Sequence, residues 1–435
     1  MSDLNDLLSS AKLSAPMSPS NNSVDKFDDL LDINDLKSGS KVKLESVSYR
    51  QFRLINSDDY ESFPWSRLKE EISKKVTSYY INLIIDCKLP DDCTGLFKGC
   101  DIRSLRFGDN AETANVKKAD EMFKDCEMLT LAEIGLNLRY CESMSAMFQG
   151  CTQLSKVWIG GLNCLKDASS MFSGCTELID VSIKGDETIV DIHSIFSNCR
   201  NLRYADIKLS NEVKDISYAC YRCESLVYVP FTTKSMTVNN RRPNIHADYL
   251  VKTLNLYLPE VTSMESTFEG CYSLAYVPDI IGTSNLKTTV RTFKDCRSLR
   301  DVYIEDISNV VEMSSMFEGC ISLESMDTKH WDTKNVRMMD RIFSLDINLK
   351  NIDISNWSLE SMRSVVRAFA LCPLSEQTNF DNWSAAEDIP HEGMLSLKFK
   401  GKYPDWYNIS TRYFLRDSQT EILKTDSPYD VSYFK

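Results

Sequence analysis

Met147-Phe148-Gln149-Gly150-Cys151-Thr152-Gln153-Leu154 returns as Met171-Phe172-Ser173-Gly174-Cys175-Thr176-Glu177-Leu178, and again as Met316-Phe317-Glu318-Gly319-Cys320-Ile321-Ser322-Leu323. Anchored on the aromatic position, the series runs Phe97, Phe123, Phe148, Phe172, Phe196, Cys220, Phe268, Phe293, Phe317, Phe343, Phe369. The steps are 26, 25, 24, 24, 24, 48, 25, 24, 26 and 26 residues. A period of this length marks a solenoid, whose units are too small to bury an apolar face alone and do so by stacking. The step of 48 is twice 24. It places a degenerate unit at Asn244, with Ala247 and Leu250 in the later apolar slots, and gives about twelve units.

The fuller template is V-x-x-M-x-x-M-F-x-x-C-x-x-L-x-x-V-x-I. In one unit it reads Leu286, Thr289, Thr292, Phe293, Cys296, Leu299, Val302, Ile304. Spacings of three and four in the first half predict a short helix or helical turn. The alternating V-x-I predicts a short strand. The expected fold is therefore an α/β solenoid, with one helical turn and one strand per unit and a parallel sheet along one face.

Ile354-Ser355-Asn356-Trp357-Ser358 and His330-Trp331-Asp332-Thr333-Lys334-Asn335-Val336 carry a Trp-Asp-Thr-x-x-Val style of repeat. With the ladder above, these residues resemble the BspA-like leucine-rich repeat of bacterial surface proteins, mycoplasma lipoproteins and some protist and phage proteins. The resemblance covers residues 89–384. It implies the solenoid fold and a binding role, and names no ligand.

Composition narrows the functions. The chain has 435 residues, 50 Lys+Arg against 63 Asp+Glu, and a formal net charge of -13. That balance argues against a nucleic-acid partner, since phosphate-backbone binders carry a basic footprint. The opening, Met1-Ser2-Asp3-Leu4-Asn5-Asp6, is acidic where a secretory signal is basic and then apolar. Ile81-Asn82-Leu83-Ile84-Ile85 is far shorter than the roughly 20 residues that span a bilayer. The expectation is synthesis in the cytosol, no membrane insertion, and residence in the cytoplasm or in a virion.

Fifteen cysteines cannot all pair within one chain. Ten of them, Cys100, Cys126, Cys151, Cys175, Cys199, Cys223, Cys271, Cys296, Cys320 and Cys372, hold one repeat position. Buried cysteine behaves as a small hydrophobe, so packing explains the ladder. Cys220-Tyr221-Arg222-Cys223 falls in the same register and has no second C-x-x-C to complete a zinc site. His193, His246, His330 and His391 are scattered. No nucleophile elbow, phosphate loop or dinucleotide fingerprint appears. The expectation is a non-enzyme with no metal and no cofactor.

Binding candidates come from the outward strand columns. One reads Lys156, Asp180, Tyr204, Tyr228, Lys252, Tyr276, Asp301, and its neighbour contains Trp158, Asp206, Pro230, Pro278 and Tyr303. Stacking places Tyr204 beside Tyr228, with Tyr276 two rungs further on. Trp158, Tyr204, Tyr228, Tyr276 and Tyr303 are the expected partner-binding residues on the sheet face.

Outside the repeats, residues 1–44 read as a disordered acidic tail or docking arm. Leu4, Leu7 and Leu8, and Phe27, Leu30 and Leu31, are spaced to fill a partner's groove. Residues 45–88 read as an N-terminal cap of helix then strand. Residues 385–435, rich in aromatics, read as a C-terminal cap or docking segment. The whole suggests a protein-binding scaffold in a larger assembly such as a phage particle. A free intracellular adaptor or sensor is the alternative, and an exported surface adhesin a weaker one.

Overall fold

Two left-handed residues bracket the ring position of every repeat, two before it and two after it. They are Ala146 and Gly150 around Phe148, Ser170 and Gly174 around Phe172, and Arg341 and Leu345 around Phe343. A left-handed residue interrupts an α-helix, because its carbonyl no longer points along the axis. The first half of each unit is consequently a pair of tight turns rather than a helix. Its local bonds run i to i+3, as from the Cys126 N–H to the Phe123 carbonyl at 3.1 Å. The ring residue's own N–H crosses to the next rung, as from Phe123 to the Met147 carbonyl at 2.9 Å. The three-and-four spacing belongs to two successive turns.

The computed structural model describes residues 41–76, 80–134, 138–185, 188–233, 255–375, 378, 380, 389–391 and 394–395. The described residues open with β1 (Val42–Ser48) and β2 (Gln51–Asn56), an antiparallel hairpin, followed by α1 (Leu68–Lys75) and β3 (Ile81–Ile85). The repeats then supply β4 (Ile102–Phe107), β5 (Leu131–Ile134), β6 (Lys156–Leu162), β7 (Asp180–Gly185), β8 (Tyr204–Leu209) and β9 (Phe231–Thr233). These nine strands form one sheet in sequence order, parallel from β2 onward. Two small parallel pairs follow, β10 (Leu256–Tyr257) with β11 (Ile280–Ile281), and β12 (Ser325–Met326) with β13 (Asn351–Ile352). Among the described residues the N-terminal block opens with the β1–β2 hairpin, which precedes its helix.

The core is two ladders side by side. Phe97, Phe123, Phe148, Phe172 and Phe196 stack with ring centroids 5.2 to 5.6 Å apart and nearly parallel planes. Phe268, Phe293, Phe317, Phe343 and Phe369 form a second such column. Offset stacking at this spacing adds to simple burial. Beside the rings, each thiol donates to the ring residue's carbonyl one rung back: Cys151 to Phe123 at 3.0 Å, Cys175 to Phe148 at 3.1 Å, Cys223 to Phe196 at 3.1 Å. Cysteine fits because it is small, apolar and still a weak donor.

The long step is not two equal rungs. The N–H of Cys220 donates directly to the Thr267 carbonyl at 2.8 Å, and the Cys271 thiol to the Cys220 carbonyl at 3.1 Å. Asp215 bridges to Ser263 in the same way. In the turn column the rung of Cys220 therefore lies directly against that of Phe268. On the strand side the period survives: the Tyr257 N–H donates to the Thr233 hydroxyl at 3.0 Å, and β10 continues to β11. The sheet holds one layer more than the turns here, and the nine-stranded ladder ends at β9. Asn244, Ala247 and Leu250 lie outside the described residues. A further rung appears at the other end. Val365 N–H donates to Pro390 and Phe369 N–H to Met394, both at 2.9 Å, which puts the buried Leu395 in the ring slot. Part of the expected C-terminal cap continues the solenoid.

Candidate protein-binding face

On β6, β7 and β8 the register aligns Lys156 with Asp180 and Tyr204, and Trp158 with Ser182 and Asp206. The inward residues between them, Val157, Ile159, Val181, Ile183, Ala205 and Ile207, are buried. Period-two alternation thus presents two outward rows across three rungs about 4.8 Å apart. Trp158 is 43% exposed and Tyr204 51%. Ile179, at the lip of the same patch, is also exposed.

Trp158 is held by an irregularity in its own strand. The register shifts between Ile159 and Leu162, and Gly161 is left-handed at φ 72. A side chain on Gly160 would come within 3.1 Å of Trp158 Cη2, so the indole lies over that glycine. Bulges commonly re-aim a side chain in this manner. The result is an indole and a phenol flanked by Asp180 and Asp206, which suits an apolar or cationic side chain of a partner.

The other expected sheet residues are placed differently. Tyr228, Tyr276 and Tyr303 are half-buried. Just before Tyr228 and Tyr276 the Ser273 N–H donates to the Glu224 carbonyl at 3.2 Å, so the Cys223 and Cys271 rungs touch directly there. Tyr303 stacks on His330 at 4.8 Å, and His330 Nε2 meets the Ile304 carbonyl at 2.8 Å. Lys252 and the arm residues Leu4, Leu7, Leu8, Phe27, Leu30 and Leu31 lie outside the described residues.

Ile179 was missed because apolar residues at a strand entry are ordinarily assigned inward. Also missed was a set at the N-terminal end of the sheet. The Arg50 guanidinium lies over Tyr49 and Tyr80 at 4.9 and 5.0 Å, and Arg103 lies over Tyr80 at 4.8 Å. Tyr49, Arg50 and Tyr80 precede the repeats, so no column pointed to the set.

The cysteines offer little chemistry. All 15 are free, and only Cys164 is not buried. Burial pushes the thiols of Cys87, Cys100 and Cys141 up to about 12 and raises those of Cys175, Cys296 and Cys372 as well. Reactive cysteines need the opposite environment. Among the described residues no group of three or more His, Cys, Asp or Glu is arranged to hold a metal ion. No described helix is long and apolar enough to cross a membrane.

A family profile of the BspA-type leucine-rich repeat region, six copies, matches residues 94–227 and 168–275. The repeats are BspA-type leucine-rich repeats. A second profile, of a Mycoplasma protein of unknown function, DUF285, matches residues 285–406, the later rungs of the solenoid. No curated protein sequence matches the chain. Among solved structures, the chain is similar to a leucine-rich repeat protein from Bacteroides ovatus, with 16% identity, 85% of this chain and 97% of that one covered, and a TM-score of 0.33. It is also similar to a leucine rich cell surface protein from Faecalibacterium prausnitzii, with 16% identity, 88% and 99% coverage, and a TM-score of 0.37.

Proposed function

We propose that the protein is a non-enzymatic protein-binding scaffold that works as a structural or adhesion component of a larger assembly, with a phage particle the instance favoured by its sequence. The observation that carries the binding reading is the exposed Trp158–Tyr204 patch on β6–β8, an aromatic and acidic surface on a rigid sheet. Exposed aromatics set on a rigid frame lose little freedom on binding, which is why they recur as anchors. The acidic arm at residues 1–44, with Leu4, Leu7, Leu8, Phe27, Leu30 and Leu31, is assigned to docking within the assembly.

The test is sedimentation from the native source. Tagged wild-type protein should travel with a particle, and W158A/Y204A should be depleted from that fraction at least tenfold while staying folded. Recovery of wild type as a free monomer would remove the assembly reading. Equal co-sedimentation of the variant would remove the sheet face as the site.

A further inference from the structure

Arg337, Arg341, Arg363 and Arg367 crowd two adjacent rungs of the turn face. The Arg363 N–H donates to the Arg337 carbonyl at 2.7 Å, and the Arg341 N–H to the Val366 carbonyl at 2.9 Å. Position 337 is thereby beside 363, and 341 beside 367. The first three arginines named in those bonds are exposed and Arg367 is half-buried. Glu318 lies 4.0 Å from Arg341 but is already held by Lys294 at 3.1 Å. Asp340 is engaged by the Ser364 hydroxyl and the Val366 N–H. Arg337 and Arg363 have no ion-pair partner among the described residues.

Like charges stacked on neighbouring rungs repel, so this array costs the isolated chain stability. It does so on a chain whose net charge is -13. Arginine forks match carboxylates two bonds at a time, and four of them over two rungs fit a run of carboxylates rather than a single one. Such a run exists in this sequence: Asp25, Asp28, Asp29, Asp32 and Asp35, interleaved with Phe27, Leu30, Leu31 and Ile33. Of the arginines nearer the start of the described chain, Arg50 and Arg103 are already stacked on tyrosine rings, and Arg53 and Arg67 face carboxylates.

Length decides whose arm fits. From β1 to the rung of Arg341 is about a dozen rungs of ~4.8 Å, roughly 60 Å. Asp32 is about nine residues from Lys41, a reach of ~30 Å at full extension, and Asp25 at about 16 residues reaches ~55 Å. Most of the run therefore falls short of Arg337, Arg341, Arg363 and Arg367 of its own chain. We propose that the Asp25–Asp35 segment of one copy docks on the Arg337, Arg341, Arg363 and Arg367 face of a second copy, joining copies head to tail. Each copy offers one arm and one arginine face, so the contact is heterologous and extends into chains instead of closing as a two-fold dimer.

This deepens the assembly reading by naming the arm's partner, and it is independent of the sheet face. The experiment is sedimentation velocity of the full chain over a concentration series at about 20 and about 300 mM salt, where screening differs most. Wild type should grow past the dimer at low salt and dissociate at high salt. R337E/R363E, exposed and checked by circular dichroism, should weaken association at least tenfold. Adding D28K/D29K/D32K to that variant should restore it. A single monomeric species throughout, association indifferent to R337E/R363E, or failure of the reversed-charge chain to associate overturns the proposal, as does capture of a polyanion such as heparin without self-association. Absence of self-association in the wild type, with its particle co-sedimentation intact, would sink this contact and leave the assembly reading standing.

Discussion

The N–H of Cys320 donates to Oδ1 of Asp346 at 2.7 Å. Asp346 fills the position three residues after Phe343, where ten other rungs carry cysteine, and it is fully buried. Its Oδ2 accepts no hydrogen bond. In the neighbouring rungs the cysteine in this slot donates to the ring residue one rung back, Cys320 to Phe293 at 3.2 Å and Cys372 to Phe343 at 2.7 Å. Burial foremost, with Glu318 and Asp295 adding repulsion, pushes the Asp346 carboxyl well above the usual carboxylate range.

That shift fixes the sign of a pH dependence. An acid whose folded pKa is raised stabilises fully below its unfolded value, near 3.9, and loses that contribution as pH rises toward the folded value. Between the two, the folded state holds a proton that the unfolded state has released. Stability should fall by up to about 1.4 kcal/mol per pH unit from this group. Asp346→Cys completes the ladder and should flatten the curve, with its advantage over wild type larger at pH 8 than at pH 5. Urea midpoints at the two pH values measure it. Identical slopes for the two proteins would rule out a neutral Asp346.

Thiol accounting follows from the ladder. In the native protein only Cys164 of the 15 should react promptly with a thiol reagent, and all 15 after denaturation. Mass spectrometry of the labelled peptides would identify the reactive positions. Early labelling of Cys151 or Cys175 would mean that the core is open.

Phe172 stacks between Phe148 and Phe196, both at 5.6 Å. Phe172→Ala should cost about 3–5 kcal/mol, the usual penalty for an aromatic cavity. Chemical denaturation would give the value. A cost below about 1 kcal/mol would show that neighbouring rungs collapse into the gap.

Gly174 sits at φ 80, and a side chain there would meet nothing closer than the Gly150 N at 3.6 Å. Space is therefore available, and only the left-handed backbone opposes substitution. Gly174→Ala should cost about 1 kcal/mol in the same assay. The slot tolerates Asn198 and Arg222 in other units, consistent with a cost of that size.

The ring and cysteine columns were legible because burial in a solenoid repeats at a fixed sequence period. Asp346 escaped notice because the ladder was read through the cysteines it carries and not through the slot that lacks one. The helical turn was read correctly as a turn and not as a helix proper only once the left-handed pair at ring minus two and plus two was seen. Gly150, Gly174, Gly270 and Gly319 are the sequence trace of the second position, blurred where Arg222 or Leu345 takes it. The step of 48 misled because the strand layer at Leu256–Tyr257 keeps the period of 24 while the turn column skips it. Trp158 and Tyr204 were found through strand alternation. The glycine bulge that holds Trp158 was not, since a two-residue irregularity leaves the spacing of later units intact.

The scaffold reading stands or falls on whether the β6–β8 face touches a protein partner. A photo-crosslinking amino acid at Ser182, between Trp158 and Asp206 on that face, should capture a discrete protein adduct in the native host. The same probe at the exposed Glu312 in the turn column should not, and W158A/Y204A should abolish the Ser182 adduct. Equal capture at both positions, or an adduct at Ser182 that survives W158A/Y204A, would contradict the account.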